Sequence, residues 1–378
     1  MTSIPVMKPW LGQAEADAAA EAVLSGWVAQ GPRVAEFERR FAEFVGAAHA
    51  IATSSCTTAL HLGLVVAGIG PGDEVIVPSL SFIATTNAVL YVGATPVFAD
   101  VDLTTANLSV ATVQPLLSDR TRAVIVVHQG GMPADVAGLK RLVADRNILV
   151  FEDSACAAGS RSGGLPVGHG SDLSAWSFHP RKLLTTGEGG MITTESEEWA
   201  QSLRRLREHG MNVSAAQRHA AGSRVVLESY LEVGYNYRMT DIQAAVGMVQ
   251  LGKLPEMVTR RREIVAQYRS ALSGIPGLIP VTEAETSQSN FQSFWVRLDQ
   301  GWPSSRNDLL QVLADRGIQA RRGIMAAHLE PAYSEFADLD LPATRALTED
   351  SVILPIFHTM TDDEVAQVVA ALAEAAAR

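Results

Sequence analysis

The chain has 378 residues, more than one ordinary hydrophobic core accommodates, so two domains are expected. Hydrophobic residues at 47% and charged residues at 19% describe a soluble globular protein. A net charge of −11 with no basic stripe argues against nucleic acid or an anionic membrane as a partner.

The opening MTSIPVMKPW lacks the apolar core and cleavage pattern of a signal peptide, and no apolar run approaches the roughly 20 residues of a spanning helix. Two cysteines, Cys56 and Cys156, make no disulfide framework. Together these features lead us to expect a reducing cytoplasm.

Taken in order, Gln13 to Ser25 reads as an alanine-rich helix, and Val34 to Val45 as an amphipathic one carrying Phe37, Phe41 and Phe44. A short strand, His49 to Ala52, runs into Thr53-Ser54-Ser55-Cys56-Thr57-Thr58, which opens a helix from Ala59 to Ala67. Hydroxyls and free backbone N–H groups at a positive helix end suit a phosphate. On its own, a plain serine or threonine N-cap is the simpler reading. Glu74 to Val77 is a buried-type strand stopped by Pro78, and Ser79-Leu80-Ser81-Phe82 leads into a helix, Ile83 to Tyr91. Next come a strand at Pro96 to Ala99, a helix after Ser109, a strand from Ala123 to Val127 ending at His128, and a helix from Asp135 to Arg146. Short strands alternating with helices are the signature of a parallel, doubly wound sheet, whose ligands sit at the carboxyl ends of strands. His128, Asp153 and Ser177 all fall at such ends.

The stretch Asp172 to Ile192, DLSAWSFHPRKLLTTGEGGMI, organises the rest. Lys182 stands between a strand-like run, Leu173 to Phe178, and a turn made of Gly187, Glu188, Gly189 and Gly190. A lysine is ordinarily a solvated surface charge. Here its neighbours are aromatic or small, and the glycines let backbone approach closely. Upstream, the strand Ile148 to Phe151 closes on Glu152, Asp153 and Ser154. A lysine kept out of water can lose its proton near neutral pH and attack a carbonyl, which is how pyridoxal phosphate is held. An aspartate facing the pyridine nitrogen keeps that ring protonated and able to accept electrons.

Beyond the lysine, Glu197 to His209 reads as a helix and Gly210 to Tyr230 as an irregular polar loop over a site. Gly234-Tyr235-Asn236-Tyr237-Arg238-Met239 precedes a capping box, Thr240 with Gln243, that starts a helix to Gln250. Pro255 marks the expected joint between domains 1–253 and 254–378. Arg260, Arg261 and Arg262 on the following helix read as a solvated face. A strand (Ser293 to Leu298), a helix (Asn307 to Arg316) and a last helix capped by Thr361 and Glu364 suggest a smaller α/β domain. The histidines show no metal-ligand spacing, so no metal is expected.

SFHPRKLLTTGEGG, with EDSACA upstream and GYNYRMTDIQAAVGMVQL downstream, resembles the DegT-type aminotransferases, fold-type I pyridoxal-phosphate enzymes acting mostly on nucleotide-linked keto sugars. The resemblance runs from about Pro9 to the last helix. It implies an α/β fold, with a large domain built on a mostly parallel doubly wound sheet and a smaller C-terminal α/β domain. It also implies roles. Lys182 would hold pyridoxal 5′-phosphate covalently and Asp153 would face its ring nitrogen. Cys56, Thr57, Thr58 and Ser177 would surround its phosphate, and Phe82 would stack on its ring. Cys56 stands where the family has glycine. Cys156 stands where it has the glutamine beside the phenolic oxygen; a small buried filler is the competing reading. Asn236 would reach the neighbour's cofactor across a homodimer with shared active sites, although by itself it reads as a turn asparagine. His179 and Arg181 replace smaller residues before the lysine, and Arg181 faces either a ligand phosphate or solvent. His328, heading HLEPAY, matches a segment near the substrate, where a lone histidine is usually structural.

The resemblance thus implies an aminotransferase that converts a nucleotide-linked keto sugar to an amino sugar with glutamate as donor. TTGEGG leans toward members acting at the sugar C4. A cyclitol (inosose) aminotransferase shares the whole motif set. A non-catalytic regulatory protein that binds the cofactor or a sugar nucleotide is the rival from another class, and the intact Lys182 and Asp153 count against it.

Overall fold

A computed structural model of the chain describes residues 3–213 and 225–377. Among these, seven strands form the main sheet: β1 (His49–Thr53), β2 (Glu74–Pro78), β3 (Thr95–Ala99), β4 (Thr121–Val127), β5 (Leu149–Asp153), β8 (Leu173–Ser177) and β9 (Gly190–Thr194). Two short strands, β6 (Arg161–Ser162) and β7 (Leu165–Pro166), lie apart from it. The order across the sheet is β1-β9-β8-β5-β4-β2-β3. Strands β3, β2, β4, β5 and β8 run parallel, and β9 is antiparallel to both of its neighbours. The mostly parallel sheet expected from the alternating pattern is present. Both β2 and β9 are buried at every position, as a sheet covered on both faces requires.

Direction places the site. The carboxyl ends of β2, β4, β5 and β8 and the amino end of antiparallel β9 share one edge. The carboxyl end of β1 joins them and delivers the turn before the helix Cys56–Val66. Gly190 is where β9 passes this turn. A Cβ there would stand 2.5 Å from the Ser55 carbonyl oxygen and 2.6 Å from the Cys56 nitrogen, so only glycine fits.

The C-terminal part builds a second, antiparallel sheet of order β10-β12-β14-β13 from β10 (Leu278–Pro280), β12 (Phe294–Leu298), β13 (Arg321–Arg322) and β14 (Ser351–Leu354). Strand β11 (Ser287–Gln288) pairs with β6 instead. Several expected boundaries differ, and the helix expected from Ala59 begins at Cys56. The helix after Asp135 ends at Leu142 rather than Arg146, and the helix from Glu197 ends at Leu206 rather than His209. The helix expected to stop at Gln250 runs unbroken from Asp241 to Leu272, straight through Pro255. A proline removes one N–H and crowds the preceding turn, at a cost of about 3 kcal/mol in a free helix. Packing on both sides outweighs it here. Gln250 donates to the Trp10 carbonyl (2.7 Å) and Glu15 (2.8 Å), while Tyr268 is buried and donates to the Pro355 carbonyl (2.9 Å). Most of the loop expected between Gly210 and Tyr230 lies outside the described residues. Its ends meet in a bridge between Met211 and Tyr230.

This helix joins the two sheets, and one cluster of buried apolar residues takes in Ile76, Val124 and Val150 from the first and Val296, Val352 and Leu354 from the second. We propose that the division at 253/254 falls inside the helix rather than in a linker. No helix among the described residues is long and apolar enough to cross a membrane.

Gly190→Ala is expected to destabilise the protein by about 1–3 kcal/mol, the usual range for overpacking. Chemical denaturation measures it; an unchanged midpoint would show that the Ser55 turn yields freely.

Candidate active site

Asp153 ends β5 and is 4% exposed. Its Oδ2 accepts a hydrogen bond from Thr85 Oγ1 at 2.8 Å, and its Oδ1 one from the Ala155 N–H at 3.2 Å. Ser81 Oγ lies 2.8 Å from the Thr85 hydroxyl and completes a short relay. Burial pushes the Asp153 carboxyl above its usual range, and Thr85, Ala155, Lys182 and His128 offset only part of that. A cation brought against this carboxylate would be strongly favoured.

Lys182 lies in the turn after β8, with its N–H on the His179 carbonyl (2.8 Å). The turn closes on itself: Phe178 N–H donates to the Gly189 carbonyl (2.9 Å) and Thr186 N–H to the Phe178 carbonyl (3.0 Å). Lys182 Nζ is 3.1 Å from Cys156 Sγ. Burial alone pulls the amine below a lysine's ordinary range, which was the expectation from sequence. Cys156, Cys56 and Asp153 outweigh burial, so the net direction is upward and the lysine keeps its proton in this cavity. Burial and the Asp153 carboxylate push the Cys56 thiol well up in turn. Cys56, Cys156, Asp153 and Lys182 therefore form one cluster.

The helix Cys56–Val66 opens on this cluster. Ser55 caps it, with its Oγ accepting from the Thr58 N–H at 3.2 Å, and the Ala59 N–H reaches the Ser55 carbonyl at 3.1 Å. Among the described residues, the N–H groups of Cys56 and Thr57 have no acceptor, and they point where a helix end favours an anion. The Thr58 hydroxyl is occupied by the Ser55 carbonyl at 2.8 Å. Ser177 ends β8, its Oγ accepting from the His179 N–H at 3.4 Å. Phe82 presents a ring 62% exposed at the carboxyl end of β2. A large ring left in solvent beside buried polar groups suits stacking on a flat ligand. The donor set and the bare ring fit a phosphorylated pyridine.

The turn Gly234–Met239 packs on the same helix opening, because the Tyr237 carbonyl accepts from the Ser54 N–H at 2.8 Å. Asn236 itself is exposed, its Oδ1 held by Arg238 at 2.9 and 3.1 Å. His179 is half-buried, its Nδ1 accepting from the Arg181 N–H at 3.1 Å, and burial lowers its proton affinity. Arg181 is exposed and lies near Arg321, whose proton affinity is lowered by burial and then by Arg181.

His328 does not join the cavity surface. It is fully buried, its Nδ1 2.5 Å from Ser79 Oγ and its backbone N–H on the same oxygen at 3.1 Å. Its surroundings tie the turn Ala327–Leu329 to the end of β2.

Sequence reasoning missed several residues. Thr85 holds Asp153 from 68 positions away, and only the Ser81/Thr85 hydroxyl spacing on a helix start hinted at it. The arginine run was read as a solvated face, yet Arg261 is buried. Its guanidinium donates to the carbonyls of Phe291 (2.8 Å) and Gln292 (3.3 Å), and burial pulls it down to about 9. Gln292 then donates to the Arg181 carbonyl at 2.7 Å and so steadies the lysine turn.

Glu152, next to Asp153, faces the other side of the sheet. Its Oε2 is 3.0 Å from His128 Nε2, and its Oε1 accepts from Ser171. The Ala134 N–H donates to His128 Nδ1 at 3.0 Å, which leaves the ring proton on Nε2, aimed at Glu152. Burial raises the Glu152 carboxyl, but His128 and Ser171 outweigh it and the net direction is downward.

The sequence model of the DegT/DnrJ/EryC1/StrS aminotransferase family matches residues 9–373. The chain is 36% identical over 377 residues to the spore coat polysaccharide biosynthesis protein SpsC of Bacillus subtilis, covering 98% of this chain and 96% of SpsC. It is similar in structure to the aminotransferase TlmJ from Streptoalloteichus hindustanus (TM-score 0.91, 36% identity, 99% of each chain). It is also similar to DesI solved in the presence of its TDP-sugar product (TM-score 0.90, 29% identity, 100% of this chain and 94% of DesI).

Glu152→Gln is expected to cost about 1.5–3 kcal/mol at neutral pH, since a buried charge-assisted bond is lost and one of two donors meets an amide N–H₂. The folded-state carboxyl titrates below the ordinary glutamate range, so its contribution is present above that range and fades as pH falls through the folded value. Denaturation at a series of pH values should show the gap between parent and variant closing in acid.

Proposed function

We propose, from the premise that the chain belongs to the DegT/DnrJ/EryC1/StrS aminotransferase family, that it converts a keto sugar carried on a nucleoside diphosphate to an amino sugar. The observation that carries this reading is the gathering at the sheet's carboxyl edge of Lys182, Asp153 and the open helix end at Cys56, with the exposed ring of Phe82 following β2. Aminotransferases of this family use pyridoxal 5′-phosphate. Bound there, it supplies a carbonyl that takes up an amine and a ring that takes up electrons.

The residues then divide the work. The N–H groups of Cys56 and Thr57 and the hydroxyls of Thr57 and Ser177 hold the phosphate, with Thr58 bracing the turn. Phe82 covers one face of the ring. Asp153, held by Thr85, keeps the ring nitrogen charged. The Lys182 amine would hold the cofactor through Nζ and, once released from it, would carry the proton to and from the substrate carbon. His179 and Arg181 sit at the mouth and meet the sugar nucleotide. A C4 ketone as acceptor and glutamate as donor complete the proposal; DesI and its TDP-sugar product support the nucleotide-sugar class.

A homodimer with shared sites is part of this reading. Asn236 is exposed while its loop is pinned to Ser54, so its side chain can be presented to a second copy with little freedom of its own.

A panel of nucleotide-linked keto sugars and inososes, scored by amine product with glutamate, tests the substrate class. Amine formed only from inososes would replace it with a cyclitol, and a coloured protein without turnover would leave a regulator. Lys182→Ala is expected to lower turnover more than a thousandfold with the fold intact, since general acid–base catalysis alone supplies 10²–10⁴-fold; turnover within tenfold of the parent would overturn the role.

The dimer is tested by mixing Lys182→Ala chains with Asn236→Ala chains at limiting cofactor. Shared sites leave one intact site per hybrid, so activity rises above the parents' average; no rise means that Asn236 serves its own chain.

A further inference from the structure

We propose that Cys156 is a positioning residue for the Lys182 amine, holding Nζ at the point where the cofactor carbonyl arrives. The inference rests on the reading of Lys182 as the cofactor lysine. Three observations carry it. Cys156 Sγ is the partner of Lys182 Nζ at 3.1 Å, and no other side chain among the described residues is within hydrogen-bond distance of that amine. The turn that carries the thiol is fixed on two sides. Before it, the Ala155 N–H is bound to Asp153 Oδ1 at 3.2 Å. After it, the carbonyl of Cys156 accepts from Asn290 Nδ2 at 2.9 Å, and the same amide reaches the Ala158 carbonyl at 2.8 Å. Asn290 is itself buried and braced by Ser160, whose hydroxyl accepts from the Asn290 N–H at 2.9 Å and donates to the Gly131 carbonyl at 2.7 Å. A thiol on so short a side chain, on a turn held at both ends, has little room to leave the amine.

The groups facing Lys182 are Cys156 and Asp153 from the end of β5 and Cys56 from the helix opening; His128, at the end of β4, acts on Asp153. Burial works against the ammonium form, and the sulfur contact is the largest single influence that favours it. Cys156 therefore trades reactivity for placement. The amine is held in one position instead of free in several.

The test reads the proton on Lys182 without turnover. Cofactor-free protein is labelled with trace acetic anhydride across a pH series, and the Lys182 peptide is quantified by mass spectrometry. Cys156→Ala is expected to move the labelling midpoint to lower pH by half a unit to one unit, which is roughly three- to tenfold faster labelling near neutral pH. Cys156→Ser, with a smaller and less polarisable atom, should fall between. Cys56→Ala, which lacks the direct contact, should move the midpoint less than Cys156→Ala. An unmoved or raised midpoint in Cys156→Ala overturns the proposal, and so does an equal shift in Cys56→Ala, which would make the effect a general property of the cavity. Thermal melts accompany each variant. If Cys156→Ala does not fold, Cys156→Ser is read against the parent, and no downward shift overturns the idea. Borohydride reduction after pyridoxal phosphate is run in parallel on the parent. Labelling at a lysine other than Lys182 means that the site reading fails; labelling at Lys182 with an unmoved pH profile means that only this inference fails.

Discussion

Two carboxylates in succession, at the end of a strand covered on both faces, set the terms for the rest of the structure. Glu152 and Asp153 are each 4% exposed, and pleating sends them to opposite sides of the sheet. Neither can stay charged in an apolar layer without partners. Glu152 finds them in His128 and Ser171, and the net effect holds it ionised. Asp153 is given less: one hydroxyl, one backbone N–H and a lysine beyond. One carboxylate is satisfied by the fold, and its neighbour is left wanting a cation. That difference sets apart two carboxylates on adjacent positions of a single strand.

The same edge explains why so many contacts here are close. Parallel strands deliver β2, β4, β5 and β8 to one end, and antiparallel β9 must enter there between β1 and β8. Its first residue then meets the Ser55 turn at a separation that admits no side chain. The opened helix end, the lysine turn and the Asp153 carboxylate are brought together by strand order, although they lie far apart in the chain. The second sheet contributes through the unbroken helix across Pro255, where Arg261 grips the backbone at Phe291 and Gln292, and Gln292 grips the lysine turn. Among the described residues this arginine has no carboxylate partner and is held by carbonyls, in a place where it steadies the lysine turn from behind.

The state of Lys182 follows from these neighbours. Desolvation favours a neutral amine, while two sulfurs and a carboxylate favour the ammonium, and the latter prevail. Charge is consequently balanced within this cluster. Stability is given up at Asp153, whose raised affinity for a proton marks an ionised form held at a cost.

Much of this was legible in the amino-acid order, because local rules act over a few residues. Strand length and alternation with helices gave the doubly wound sheet; the capping boxes at Thr240 and Thr361 gave helix starts; glycines around Lys182 marked a turn of close approach. Asp153 at a strand end and Lys182 before a glycine turn stood out on the same grounds. Tertiary structure decided what depends on partners distant in sequence. The Pro255 helix continues because Trp10, Glu15 and Pro355 hold its flanks. Arg261 is buried because its helix face meets the turn after Asn290, which a run of three arginines does not disclose. His328 is taken up by Ser79, and Thr85 by Asp153, through contacts spanning 249 and 68 positions. Even the balance at Lys182 was decided this way: burial could be read locally, but the sulfur at 3.1 Å, which opposes it together with Cys56 and Asp153, arrives only when β5 and β8 lie side by side.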